Sequence, residues 1–322
     1  MEINGVTQVP HGVNNFYDRS LLDRAVAAFI HNQFADVRDI PQGNTDTVKF
    51  RRYANLVAAT TPLVAGVTPA GSTLSVTDIT GTVKQYGDYI TTDDFVQLTT
   101  LDPLLMETAG ILGDQAGDTL DQLTRDILNA GTSVQYASTA TDRDEITAAM
   151  KLDNTEAKEA VRVLKENKAK RMTSRIDPST GYNTTPIPAG YFGFIHTNTT
   201  HDLKDTTGYT PVHKYSNPSI ALPNEVGTLD EIRLLESTNA KVFAGEGLSE
   251  ADVYTCVVVA MHAYAQTRIS GAAMKNIIKP LGSAGTADPL NQRATSGWKA
   301  THLTVRLNEA YMLRIEHGTS QS

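Results

Sequence analysis

The chain has 322 residues, 40% of them hydrophobic and 20% charged, with a formal net charge of −8. That length can bury a sizeable core and hold two domains. The composition excludes long disordered tracts, and the acidic balance excludes an overall basic footprint for gripping nucleic acid. A single cysteine, Cys256, excludes an intrachain disulfide. Met1-Glu2-Ile3-Asn4-Gly5 lacks the basic and apolar regions of a signal peptide, and no apolar run approaches the ~18 residues that span a bilayer. The chain is therefore expected to be soluble where it is made, with no membrane partner.

From Asn14 to Phe34 apolar residues recur at helical spacing, at Leu22, Val26, Phe29, Ile30 and Phe34, which predicts a helical N-terminal arm. Pro41-Gln42-Gly43-Asn44 ends it. From Thr47 to Ala59 the residues are β-branched and aromatic, with Val48, Phe50, Ala54 and Leu56 at even spacing on one face. Pro62 to Ser72 carries two Pro and two Gly and reads as a turn-forming tip. A second arm runs back from about Thr73 to Ile90. Each arm would extend roughly 40 Å at about 3.3 Å per residue, and an isolated two-stranded ribbon is at best marginally stable in water. The ribbon needs something to lie on, either a sandwich edge within its own domain or a neighbouring subunit.

Asp102-Pro103 supplies a capping side chain and a proline at the first helical position. Leu105, Ala109, Leu112, Ala116, Leu120, Leu123 and Ile127 follow at spacings of three and four, and Ala130-Gly131 supplies the stop. About 28 residues at 1.5 Å rise make a rod on the order of 42 Å long. Glu107, Asp114, Asp118, Asp121 and Asp126, against Arg125 alone, are assigned to its outer face, which reads first as a solvated surface.

Asp142 to Lys170 reads as one or two polar helices broken near Asp153-Asn154. Lys151 to Arg175 is locally basic, but no aromatic residue is interleaved for base stacking, so a solvated or acid-paired face is the better reading. Ile176 to Gly190 is a loop. Short strands are predicted at Phe192 to Ile195, Ile232 to Leu235, Lys241 to Phe243 and Val253 to Ala265. A long strand pattern over Trp298 to Glu316 returns to the first part of the fold, and a mixed α+β class follows.

Candidate chemistry is thin. Histidines 11, 31, 196, 201, 213, 262, 302 and 317 are scattered without a metal-ligand spacing. Cys256 lies in an apolar run that would quench its reactivity. Gly282-Ser283-Ala284-Gly285-Thr286 lacks the Lys-Ser or Lys-Thr of a phosphate loop. Asp93-Asp94, if on a strand, point to opposite faces and cannot readily share a substrate, so they mark the passage from ribbon to helix. No catalytic, cofactor-binding or metal residue is assigned, and the chain is expected not to be an enzyme.

The order of parts resembles the major capsid proteins of tailed bacteriophages, with the Hong Kong 97-type fold. Several segments are similar to the branch common among podophages: Phe34-Ala35-Asp36-Val37-Arg38-Asp39-Ile40-Pro41, Val48-Lys49-Phe50-Arg51-Arg52-Tyr53, Ala59-Thr60-Thr61-Pro62-Leu63, Lys84-Gln85-Tyr86-Gly87-Asp88-Tyr89 and the run from Gly282 to Arg293. The resemblance implies an N-terminal arm over 1–46, an extended loop or E-loop over 47–94, and a peripheral domain over 95–190 with a spine helix over 103–130. An axial domain over 191–270 and a return to the peripheral domain over 271–322 complete it. It implies hexamers and pentamers in an icosahedral shell, packaged double-stranded DNA held without sequence preference, a portal, and a separate scaffolding protein. The virion is the implied location, with assembly in the host cytoplasm. Expected intersubunit contacts are Phe29, Phe34, Phe50, Arg52, Thr61, Pro62, Leu63, Val64, Val67 and Pro69. An encapsulin-like compartment shell and a soluble α/β enzyme remain the alternatives.

Overall fold

The computed structural model describes residues 29–43, 45–63, 65–68, 70–99, 104–172, 190–215, 221–271, 274–283, 285 and 288–321. The helical arm expected over 14–34 therefore lies outside the described residues up to residue 28, as does the loop over 176–189. From Ile30 the chain makes a turn rather than a helix, and β1 (Asp36–Ile40) follows.

β2 (Thr47–Tyr53) and β3 (Val76–Thr82) pair antiparallel, from Thr47 opposite Thr82 to Tyr53 opposite Val76. The ladder is shorter than the arms expected from composition. Beyond the bond from the Ala54 N–H to the Ser75 carbonyl the arms part, and Gly71 and Ser72, which would face Ala58 and Val57, are poor strand formers. The return arm also divides at Val83: its second half, β4 (Lys84–Asp93), joins a different sheet.

A short helix that spacing did not reveal, α1 (Asp94–Thr99), begins where β4 ends, as Asp93-Asp94 suggested. The long helix α2 (Leu104–Asn129) has 26 residues. Its stripe holds at Ala109, Leu112, Ala116 and Leu120 and then drifts, as a 3.6-residue turn requires, to Thr124 and Leu128. Ile127, expected inside, is exposed.

After β5 (Val134–Tyr136), Asp153 caps α3 (Asn154–Glu166) by accepting from the Thr155 and Glu156 N–H groups. β6 (Tyr191–Ile195), α4 (Thr197–Leu203), β7 (Tyr209–Pro211), β8 (Glu225–Leu229), β9 (Ile232–Glu236) and β10 (Val242–Phe243) follow. The apolar run from Val253 to Ala265 is two strands, β11 (Val253–Val259) and β12 (Tyr264–Ile269), parted by a turn in which His262 has a φ of 60°. β13 (Met274–Lys279) precedes β14 (Arg293–Arg306) and β15 (Met312–His317). The expected last strand is thus broken by a tight turn at Glu309–Tyr311.

Among the described residues the strands form two sheets besides the ribbon. One has the order β5-β15-β11-β6-β9-β8-β7, with β10 added to β11. α3 covers one face of it through Val161 and Leu164, packed with Leu234, Val258 and Ile315. Phe192, Phe194 and Val257 fill the other face and meet Leu128 of α2.

The second sheet is organised by β14, whose residues 295–300 lie between β13 and β4 and whose last residues pair with β12. β1 adds in parallel to the far edge of β12. Leu112, Ala116 and Leu120 of α2 pack on Trp298 and Ala300 of β14. Gly87 and Gly297 permit the close approach of β4 and β14, since a Cβ on Gly87 would stand 2.5 Å from the Trp298 carbonyl oxygen. α2 therefore ties the two sheets together, and each fully buried aliphatic or aromatic side chain along it contributes roughly 1.5–3 kcal/mol.

Candidate assembly surface

The ribbon meets its own chain at one end only. Phe50 is 5% exposed, with the Arg38 guanidinium 5.7 Å from its ring centroid. Gly81 lies against Leu303 and Val305 of β14, and a Cβ there would be 2.7 Å from a Val305 methyl. Further out, Arg52 Nη1 donates to Asn308 Oδ1 at 2.7 Å. A groove of about 490 Å³ opens between ribbon and body, lined by Arg38, Phe50, Arg52, Tyr53, Leu307 and Tyr311 among others.

Beyond Tyr53 the apolar side chains stand in solvent. Val57 is 91% exposed and Leu63 80%, and Leu56, Val67 and Leu74 are likewise exposed. Of the contacts expected from the sequence, Thr61, Pro62, Leu63 and Val67 lie on this open surface, while Arg52 is exposed but bonded to Asn308 of its own chain. Val64 and Pro69 lie outside the described residues. Phe50, Phe29 and Phe34 are engaged inside the subunit: Phe29 packs beside Trp298, and Phe34 stacks on Phe192 with centroids 4.0 Å apart.

That turn is held by an unforeseen anchor. Asp121, assigned by spacing to the solvated face of the long helix, is fully buried. Its Oδ1 accepts from the backbone N–H groups of Ile30 and His31 at 2.9 and 2.8 Å, and its Oδ2 lies 2.7 Å from His31 Nδ1. The Tyr264 hydroxyl donates to the His31 carbonyl at 2.5 Å. Next to it Thr124 Oγ1 donates to Asn32 Oδ1 at 2.5 Å and lies 3.2 Å from His302 Nε2. Burial pushes His302 down to about 4. No sequence spacing could reveal this anchor, because its members lie 90 residues or more apart.

The remaining acids of α2, Glu107, Asp114, Asp118 and Asp126, are exposed. They continue an acidic surface from β4 and α1, where Asp88 accepts from Gln115 at 2.7 Å, a bond that holds its carboxyl below the usual range. Phe95 is 68% and Leu98 82% exposed on α1 in the same neighbourhood.

Four bases of the stretch from Lys151 pair with acids. Arg162 binds Glu159 and Glu166, Lys165 and Arg171 bind Glu231, and Lys151 reaches Asp202 at 3.0 Å. Cys256 is buried and its thiol is pushed up to about 12. His317 is buried and pushed down to about 4, and His196 caps α4 by accepting from the Asn198 N–H. Among the described residues no cluster of three His, Cys, Asp or Glu is placed to hold a metal ion, and no helix is long and apolar enough to cross a membrane.

No protein family matches the chain, and no curated protein matches it in sequence. Solved structures do match in fold. The capsid of Ralstonia phage GP4 superposes with a TM-score of 0.67 at 14% identity, over 91% of this chain and 89% of that one. The capsid of cyanophage Pam1 gives 0.66 at 13% identity over 93% of each chain. The capsid of cyanophage P-SCSP1u gives 0.65 at 11% identity over 91% and 89%. The mixed α+β architecture is thus the fold found in phage capsids, as the resemblance implied.

Proposed function

We propose that the chain is the major capsid protein of a tailed bacteriophage, built into an icosahedral shell that encloses double-stranded DNA. The observation that carries this reading is the fold shared with phage capsid chains over nine-tenths of the length. The exposed ribbon agrees with it, since a subunit that leaves apolar side chains and a strand edge open requires a neighbour to cover them. In this reading residues 47–94 form the E-loop and 104–129 the spine helix. Residues 191–270, which hold β6 to β11 of the larger sheet, form the axial domain about each capsomer centre.

The role is mechanical. Several modest interfaces per subunit give avidity without any single strong contact, and the weakness of each allows errors to be corrected during assembly. An acidic wall does not bind packaged DNA irreversibly, because phosphate attraction needs Lys and Arg. Portal and scaffolding proteins are the further partners, assembly takes place in the host cytoplasm, and no catalytic step is assigned.

Electron microscopy and mass measurement of the purified chain test the proposal. Five- and six-membered rings and curved shells are expected, with uniform closed shells only when a separate scaffolding protein is present. Deleting residues 61–72 is expected to abolish normal shells. A chain that stays monomeric at high concentration would overturn the reading. Native particles that hold cargo protein rather than DNA would move it to a protein compartment.

A further inference from the structure

The second sheet has two unlike faces. α2 packs on the one formed by even-numbered residues of β14, Trp298 and Ala300, and at about 100° per residue its exposed Glu107, Asp114 and Asp118 fall on the side away from the sheet. The odd-numbered residues form the other face, because successive side chains alternate along a strand. At one end of it Leu303 and Val305 carry the root of the ribbon at Gly81. Toward Arg293 that face is open.

In register across β13, β14 and β4 the open part presents Lys275, Lys299 and Gly87, then Ile277, Gly297 and Tyr89, then Lys279, Thr295 and Thr91. All three lysines are exposed, as are Tyr89 at 68% and Ile277 at 44%. The nearby acids are engaged elsewhere. Asp93 stands opposite Arg293 in the next row, Asp88 accepts from Gln115 on the helix side, and the buried Asp288 accepts from the Arg293 N–H. Among the described residues the lysines that pair with an acid are Lys151 and Lys165, so Lys275, Lys279 and Lys299 are left as uncompensated positive charge. Lysines on an edge strand such as β13 discourage strand addition, but Lys299 is on the central strand, between β13 and β4, where no edge needs blunting.

We infer that this face docks a separate protein through an acidic segment, whose carboxylates meet Lys275, Lys279 and Lys299 and whose apolar side chain lies on Tyr89 and Ile277. This inference rests on the assembly reading above and adds a partner to it. Copies in a one-layer shell turn like faces to the same side, so the acidic surface of a neighbour's α2 points away from these lysines. A neighbour's ribbon is no better match, because residues 47–82 hold Lys49, Arg51 and Arg52 against one acid, Asp78, to which Arg51 Nε donates at 3.1 Å. With α2 toward the DNA, the lysine face is on the outer side of the shell. Opposite charge steers the partner to it, the two apolar side chains add buried area, and salt weakens the contact.

The probe is a fluorescent peptide of glutamates flanking one phenylalanine, titrated onto the purified chain and onto shells and read by anisotropy. K275E/K279E/K299E is expected to weaken its binding roughly tenfold or more, and Tyr89→Ala with Ile277→Ser to weaken it less. K158E/K168E/K170E, the same change of charge at exposed lysines elsewhere, is expected to leave binding within about twofold. Thermal melting of each variant checks that it is folded.

A second measurement needs no variant. In shells of this chain alone an acetylating reagent is expected to modify Lys275, Lys279 and Lys299 as readily as in the dissociated chain. Protection of these lysines would show that another copy covers the face and would overturn the inference. So would absence of peptide binding, equal loss from the two lysine reversals, or tighter binding of a mixed-sequence DNA duplex through the same lysines. Face-specific peptide binding to a chain that never forms shells retains the contact and overturns the capsid reading. Shells that bind the peptide no better than the reversed variant does retain the capsid reading and overturn the contact.

Discussion

β11 and β2 are both seven-residue strands, and they solve the same problem in different places. Every residue of β11 is buried, with β6 and β15 on its two edges and packed side chains on both faces. In β2 only Phe50 is buried, and β3 is its one strand partner among the described residues. The first region completes its burial and backbone pairing inside the chain. The second leaves both open within the chain, and in the proposed assembly a neighbour would complete them.

Val258→Asp strikes the self-contained side of this contrast hardest. It places an unpaired carboxylate at a fully buried site between β6 and β15, with an expected cost of about 4 kcal/mol or more. Urea denaturation should show a chain that is largely unfolded at 25 °C. Asp121→Asn comes next: it removes the charge from three bonds to the turn at residues 30 and 31, at about 3 kcal/mol, read from the urea midpoint.

The third effect is a pH dependence. Burial holds His302 and His317 at about 4, below the ordinary imidazole value of 6.5. Between those values the unfolded chain takes up protons that the folded chain refuses, so their contribution is complete above about pH 6.5 and falls as the pH drops toward 4. By pH 5 the loss is on the order of 2 kcal/mol per histidine. His302→Gln should give a shallower fall of the urea midpoint between pH 7 and 5.

Ribbon substitutions have the smallest effect on the monomer. Val57→Ser with Leu63→Ser changes surface residues and should alter monomer stability by no more than about 0.5 kcal/mol. The same pair should abolish association by sedimentation. A large loss of monomer stability would mean that the tip packs on its own chain.

The sequence showed the self-contained region and the open one unequally. Apolar periodicity located α2 to within a residue at its C-terminal end and found β6, β9 and the start of β11, because a packed face imposes its period on local composition. It missed β13 and α1, whose exposed apolar residues, such as Ile277 and Leu98, break the pattern that burial would impose. It placed Asp121 outside the helix stripe because a carboxylate reads as solvated. What makes that residue buried is a turn 90 residues earlier in the chain, and no local pattern carries such information. Composition marked the ribbon as β-forming but overstated its length, since the length of a ladder depends on both strands and the returning one pairs only from Val76.

Amide hydrogen exchange, measured on the dissociated chain and on assembled particles, tests most directly whether a neighbour completes the ribbon. The amides of β11 should be protected equally in both, and those of residues 47–82 should exchange rapidly in the dissociated chain and slowly in the particle. Equal protection of residues 47–82 in the two states would show that the ribbon is already completed within one subunit.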